Sequence, residues 1–325
     1  MVSALNVLII GRIHPAGSDL LAGRHDLVVT QIEQDPRTVA VHMTAADAVI
    51  VRTALIDADI IASANRLRLV ARHGVGYDNV DVDALTARRI PLATVGDANS
   101  LTVAEHTLHM MLMLAKRAMQ WHGTTCAGDW QGSGLSFGAD LLGKTVFIIG
   151  LGRIGTHVAR LCRAFGMTVL VHDPYIDDAK IAASDAVRAE SLSAGLAAAD
   201  FTTLHAPLTD ETRAIIGAAA LETMPAHAYL INVARGGLVD EAALSHALKN
   251  DVIAGAGIDV FEKEPAPAGS PLLGVDKVVF SPHVAGITAE CLERMSRRCA
   301  QNVMDFIDGK LDPAVVVNPE ALTSD

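Results

Sequence analysis

Three residues late in the sequence, Arg235 in "NVARGG", Glu264 in "FEKEP" and His283 in "FSPHVAG", are of the types that acid–base chemistry on a small anion requires. An arginine offers a planar fork that fits a carboxylate and the carbonyl oxygen beside it. A histidine titrates near neutral pH, so it can give a proton to that carbonyl or take one back. A carboxylate next to the ring holds it in place and favours its charged form. Glu264, just before a proline, is the candidate for that carboxylate, and Glu262 reads as solvated. Arg235 leaves the apolar run Tyr229 to Val233 and is followed by Gly236 and Gly237, whose lack of bulk is expected to let the fork approach a ligand closely.

Reduction of a keto acid also needs a hydride, and "TVFIIGLGRIGTHVARLCRAFG" has the form of a dinucleotide site. Gly150, Gly152 and Gly155 stand in GxGxxG spacing after a buried strand and at the start of a helix, with Asp173 at the required distance in "TVLVHD". The first glycine allows the tight turn, the second admits a pyrophosphate, and the third packs helix on strand. The helix N-terminus offers N–H groups to phosphate. Asp173 is expected to accept from the ribose hydroxyls, and Pro174 and Tyr175 follow it rather than an arginine. NAD is therefore expected in preference to NADP.

These residues need a scaffold that brings them together. Short β-branched runs alternate with alanine-rich helical patterns, the signature of parallel sheets covered by helices on both faces. The first series of strands is "NVLIIG", "DLVVTQ", "DAVIVRT", "LRLVARHG" and "IPLATVG". The second is "TVFIIG", "TVLVHD", "FTTLHA", "AYLINVA", "AGAGIDV" and "KVVFSPH". Gly150, Asp173, His205, Arg235, Asp259 and His283 lie at or just past the carboxyl ends of strands in the second series, and Arg52 and His73 do so in the first. Ligand sites of parallel α/β sheets lie beyond those ends. His205 is accordingly expected to help line a cofactor cleft. "LTVAEHTLHMMLMLAKRAMQ" reads as one long buried helix opened by a capping box of Thr102 and Glu105. His106, His109 and His157 read as packing or surface residues on helices. In "TAECLERMSRRCAQNVMDFIDG", Leu292, Met295, Cys299, Val303 and Phe306 form a core-facing stripe that stops at Gly309.

A chain of 325 residues with a net charge of −11 has room for two domains and is a poor partner for nucleic acid or an anionic membrane. An anionic substrate then needs local cations, which gives weight to each strand-end arginine. Cys126, Cys162, Cys291 and Cys299 form no CxxC or metal-ligand spacing, so no metal and a reducing cytoplasm are expected. The N-terminus has no basic region or cleavage site and reads as a first strand.

The ordered series GLGRIG, HAPLT, NVARGGLVDE, GIDVFEKEP and SPHVAG resembles the D-isomer-specific 2-hydroxyacid dehydrogenase family, near its phosphoglycerate-dehydrogenase-like members, over nearly the whole chain. The resemblance implies two doubly wound parallel-sheet domains with the active-site cleft between them. One is a flavodoxin-like substrate domain (1–99 and 288–325), the other a Rossmann NAD-binding domain (100–287) that usually dimerises. It gives Arg235 the substrate, His283 the acid–base step and Glu264 the place beside it. It makes Gly150, Gly152, Arg153, Ile154, Gly155, Asp173, His205, Ala206, Pro207, Val233, Ala234, Asp259 and the stretch from His283 through Ala285 to Gly286 the NAD contacts, with Asp259 addressing the carboxamide. "HGVGYDNVD" is similar to the loop whose Gly74, Val75 and Gly76 backbone cradles the substrate carboxylate, although His73 stands where a small residue is common. Ending near "VVNPEAL", the chain is expected to lack a regulatory domain.

The expected substrate is a small anionic 2-keto or 2-hydroxy acid such as glyoxylate, hydroxypyruvate, phosphohydroxypyruvate or sulfopyruvate. Arg52 and His73 favour an acid with a second polar or anionic group, the alternative for Arg52 being a structural ion pair. D-3-phosphoglycerate dehydrogenation is one specific alternative. An NADH-sensing, corepressor-like binding protein is the rival from another class. Formate oxidation is disfavoured because that histidine pairs with glutamine, and Glu264 stands here.

Overall fold

The computed structural model describes residues 4–131 and 137–322. The chain divides into two compact units, Met1–Asn99 with Ile287–Asp325, and Ser100–Gly286.

The first unit is built on β1 (Leu5–Ile10), β2 (Leu27–Ile32), β3 (Ala48–Val51), β4 (Leu69–Arg72) and β5 (Leu92–Ala93). They pair in the order β2-β1-β3-β4-β5, all parallel, the flavodoxin-like doubly wound order. Successive residues of β1 serve opposite faces. Val7 and Ile9 join the cluster of Met295, Cys299 and Val303, while Leu8 and Ile10 join that of Val39, Met43 and Leu85. Burial on both faces is why β3 and most of β1 and β4 are apolar rather than alternating, whereas the edge strand β2 is half exposed and carries Thr30 and Gln31. The helix Ala289–Ile307 is capped by the Thr288 side chain, which accepts from Cys291 N, and it ends before Gly309 at φ +67°. Burial pushes the Cys299 thiol up to about 12, so it packs as an inert apolar group.

The second unit contains β6 (Thr145–Ile149), β7 (Thr168–His172), β8 (Val187–Arg188), β9 (Phe201–Leu204), β10 (Tyr229–Asn232), β11 (Gly255–Ile258) and β12 (Val278–Phe280). Their order is β12-β11-β10-β9-β6-β7-β8, again all parallel. The direction of winding reverses at β6 and β9, which places the glycine turn after β6 beside His205 after β9. Val146 and Ile148 face one core and Phe147 and Ile149 the other.

Three local expectations are corrected. β8 is a strand the sequence reading lacks; its two residues are exposed and carry no apolar pattern. The long helix is two, Ser100–Ala115 and Ala118–Cys126, broken where Arg117 takes a left-handed φ of +51°. Because the first of these already begins at Ser100, Thr102 sits inside its first turn and does not cap it.

Candidate active site

The glycine turn has the shape of a cradle. Gly150 has φ +94°, and a Cβ there would lie 2.8 Å from Ala206 N and the His205 carbonyl group. A Cβ on Gly155 would lie 2.2 Å from Gly150 O, so helix and strand close up only because this residue has no side chain. A Cβ on Gly152 would meet nothing within 4 Å, which leaves open space in front of the N-terminus of the helix Arg153–Ala164. An anionic diphosphate fits such a place, facing the N–H groups of the first turn and the positive end of the helix.

Asp173, just past β7, ties itself to this turn. Its carboxylate accepts from Leu151 N at 2.8 Å and from Tyr175 N at 3.0 Å. A basic residue does stand nearby, although not next in sequence. Arg188 on β8 donates to Asp173 O at 2.8 Å, and its guanidinium is also engaged by Ile176 O and Asp178. The acidic side chain thus faces the turn while the arginine is committed to backbone and to its own acid. His205 Nε2 lies 2.9 Å from Thr203 Oγ1, and its Nδ1 is buried without a partner among the described residues. Burial pushes this ring down to about 3, so it is neutral at physiological pH.

Arg235, Glu264 and His283 come together within the second unit. His283 Nδ1 lies 2.7 Å from Glu264 Oε2. A carboxylate can only accept, so Nδ1 carries the proton and Nε2 is the nitrogen left for a ligand. Burial raises the Glu264 carboxyl, but the bond to His283, the N–H of Phe261 and the charges of His283 and Arg235 outweigh it and hold the group below its ordinary value. Glu264 Oε1 meanwhile accepts from Phe261 N at 3.1 Å, which fixes the carboxylate to its own loop.

Each of the three is positioned by a device that the sequence reading missed. Asn232, at the end of β10 and buried, donates through Nδ2 to Arg235 O at 2.9 Å and accepts from Ala234 N at 3.1 Å, folding the turn that presents Arg235. Gly236 is needed for a different reason than ligand access. A Cβ there would lie 1.9 Å from Phe261 C and 2.2 Å from Glu262 N, so the Arg235 turn and the Glu264 loop press backbone to backbone at this residue. His283 has φ +55° and is held from below by Asp259, which is fully buried. Asp259 O accepts from His283 N at 2.7 Å, and its carboxylate accepts from Val284 N at 2.9 Å and Ala285 N at 3.0 Å. Ser281 Oγ also donates to Asp259 and in turn accepts from His106 Nε2 at 3.0 Å. Asp259 therefore grips the His283 turn, whatever else it touches, and His106 joins that network rather than serving only as packing. Burial lowers the His106 imidazole, the charge of Asp259 opposing this and that of His109 adding to it.

In the first unit Arg52 follows β3 and His73 follows β4, with His73 N donating to Val51 O at 2.8 Å. Arg52 makes no ion pair among the described residues, so the alternative of a structural pair finds no acid there. His73 is buried, with both ring nitrogens unpartnered among the described residues. Burial, then the charges of Arg52 and Arg72, push it down to about 4. Gly74, with φ +155°, begins the turn of Gly74, Val75 and Gly76, and its carbonyl accepts from Val95 N at 3.3 Å. No group of three His, Cys, Asp or Glu side chains that could hold a metal occurs among the described residues. No helix among them is long and apolar enough to cross a membrane.

Residues 108–285, more than half of the chain, match the family described as D-isomer specific 2-hydroxyacid dehydrogenase, NAD binding domain. The chain belongs to the D-isomer-specific 2-hydroxyacid dehydrogenase family. It is 38% identical over 266 residues to a glyoxylate reductase of Korarchaeum cryptofilum, covering 80% of this chain and 79% of that protein. It is 38% identical over 275 residues to a D-3-phosphoglycerate dehydrogenase of Methanocaldococcus jannaschii, covering 84% of this chain. It spans about half the length of the phosphoglycerate dehydrogenases it matches, 52% in that case. Among solved structures it is similar to a D-lactate dehydrogenase from Aquifex aeolicus complexed with NAD and lactic acid, with a TM-score of 0.86, 28% identity and coverage of 96% and 99% of the two chains. The unit that carries the glycine cradle is thus the family's NAD-binding domain.

Proposed function

We propose that this family member is an NAD-dependent D-2-hydroxyacid dehydrogenase, interconverting a small 2-keto acid and its 2-hydroxy acid. The observation that carries the reading is the ionised Glu264 2.7 Å from His283 Nδ1, with Arg235 close enough for its charge to be felt at the same carboxylate. Bound NADH supplies the hydride. Arg235 binds the substrate carboxylate and keto oxygen, and His283 donates the Nε2 proton to that oxygen as it becomes a hydroxyl. Glu264 stabilises the charged ring before transfer and keeps Nε2 pointed at the substrate. In the reverse direction the neutral ring removes the hydroxyl proton. The backbone of Gly74, Val75 and Gly76 is proposed to take part in holding the carboxylate.

Among substrates, the arginine at the end of β3 supports an acid with a second anionic group, phosphohydroxypyruvate or sulfopyruvate, over glyoxylate. Relatives bearing the name D-3-phosphoglycerate dehydrogenase support the first of these. Asp173 supports NADH over NADPH. The test is initial-rate consumption of NADH and NADPH with a panel of 2-keto acids. Arg52→Ala is expected to raise KM for the doubly anionic acid about 10-fold or more, from the loss of ~1.5–3 kcal/mol in a charged hydrogen bond, and to leave glyoxylate unchanged. Equal losses for both acids would remove the distal-anion role. Tight NADH binding with no turnover on any acid would favour a sensor instead.

A homodimer through the NAD-binding domain is supported by a run of exposed apolar side chains, Met119, Trp130, Phe137 and Leu142, and by the helix Ala118–Cys126, which buries no residue. The four free cysteines support a reducing, cytoplasmic setting.

A further inference from the structure

Between β11 and β12 the chain runs from Asp259 to Lys277 without a helix or strand, and Glu264 sits on this loop. Something must hold so long an irregular segment in register. The helix Glu241–Lys249, which follows the Arg235 turn almost directly, is hydrogen-bonded to it at several residues. Glu241 Oε1 accepts from Glu262 N at 2.7 Å, and Glu241 Oε2 lies 3.5 Å from Ser270 Oγ. One turn further along, Ser245 Oγ donates to Pro271 O at 2.6 Å. Residues four apart share a helix face, so one face of this helix grips the loop at both points. Glu241 is not the cap of its own helix, because Asp240 already accepts from Ala242 N and Ala243 N. Its carboxylate is directed at backbone 21 residues away, two residues before Glu264.

We infer that Glu241 is a positioning residue for the acid–base pair: by accepting from Glu262 N it splints the Glu264 loop to the helix that follows Arg235, so that carboxylate, imidazole and guanidinium keep one geometry. The inference rests on the proposed roles of Glu264 and His283. What the splint requires is an acceptor oxygen at the reach of a glutamate side chain, and the negative charge at the helix start is incidental.

Three variants separate these properties. Glu241→Gln keeps reach and acceptor, Glu241→Asp keeps the charge but falls short by one methylene, and Glu241→Ala loses both. Alanine and aspartate should lower kcat/KM about 10-fold or more, because small misplacements of reacting groups carry large rate costs. They should also move the falling limb of keto-acid reduction to lower pH, as Glu264 loses its grip on the charged ring. Amide exchange across residues 259–273 should rise in the same two variants. Glutamine should stay near the parent in all three measurements. The splint is overturned if aspartate is spared and glutamine impaired, if both are impaired alike, or if alanine lowers only thermal stability. Should the alanine variant fail to fold, the aspartate–glutamine contrast still decides. Exchange needs no turnover, so a parent inactive on every acid would overturn the proposed function while the exchange contrast still judged the splint.

Discussion

Replacing His283 with Asn should lower keto-acid turnover by about 10²–10⁴-fold, the usual contribution of a positioned general acid, while NADH binding stays close to that of the parent. Asparagine keeps a polar side chain on the turn at φ +55°, a region it tolerates better than most residues, so the turn gripped by Asp259 should survive. The subtler partner experiment is Glu264→Gln. The Glu264 carboxylate accepts from His283 Nδ1 at 2.7 Å, and a negative charge at that distance favours the charged form of its partner over the neutral one. Glutamine removes that preference. Reduction needs the protonated ring, so its loss of rate with rising pH should begin at lower pH. Oxidation needs the neutral ring, so its rise should also come at lower pH. Profiles of kcat/KM in both directions check the pair together, and unchanged limbs would mean that Glu264 is not the electrostatic partner.

Gly236→Ala should be nearly as damaging from a residue with no functional group. The added methyl would sit 1.9 Å from Phe261 C and 2.1 Å from Phe261 O, and backbone cannot rotate aside as a side chain can. The Arg235 turn and the Glu264 loop must then separate, at a cost of about 1–3 kcal/mol in stability typical of overpacking. A displacement approaching 1 Å should lower turnover by about 10²-fold. Thermal unfolding and steady-state kinetics on one preparation measure both effects. A variant with parent kinetics would show that the two segments do not need this contact to work together.

The scaffold was legible because parallel strands buried on both faces are apolar from end to end, which made the polar residue just past each end conspicuous. Arg52, His73, Gly150, Asp173, His205, Arg235, Asp259 and His283 all stand at such ends in the structure. Pairing between distant segments was not legible in this way. Periodicity put His106 on a helix but could not say that Ser281 waits opposite it, and "RGG" marked a close approach without revealing that the approaching group is the backbone of Phe261 and Glu262. Arg188 escaped notice because β8 has two exposed residues and no pattern, and it reaches Asp173 only through strand pairing. The break at Arg117 was hidden for a different reason, since a left-handed conformation is ordinarily announced by glycine. Residue chemistry and the family resemblance supplied roles for Arg235, Glu264 and His283, whereas the contacts that Asn232, Glu241 and Ser281 make around them emerged from the hydrogen bonds.

The assignment is tested most directly by following the hydride itself. The protein is incubated with hydroxypyruvate, phosphohydroxypyruvate or glyoxylate and NADH carrying deuterium at the transferable position, and the product is analysed by mass spectrometry and, for the chiral acids, by chiral chromatography. The expected result is deuterium on the hydroxyl-bearing carbon in step with NADH consumed, the D isomer alone from the chiral acids, and loss of both signals in His283→Asn. NADH that binds but is never consumed on any acid of the panel, or a product that is racemic or of the L form, contradicts it.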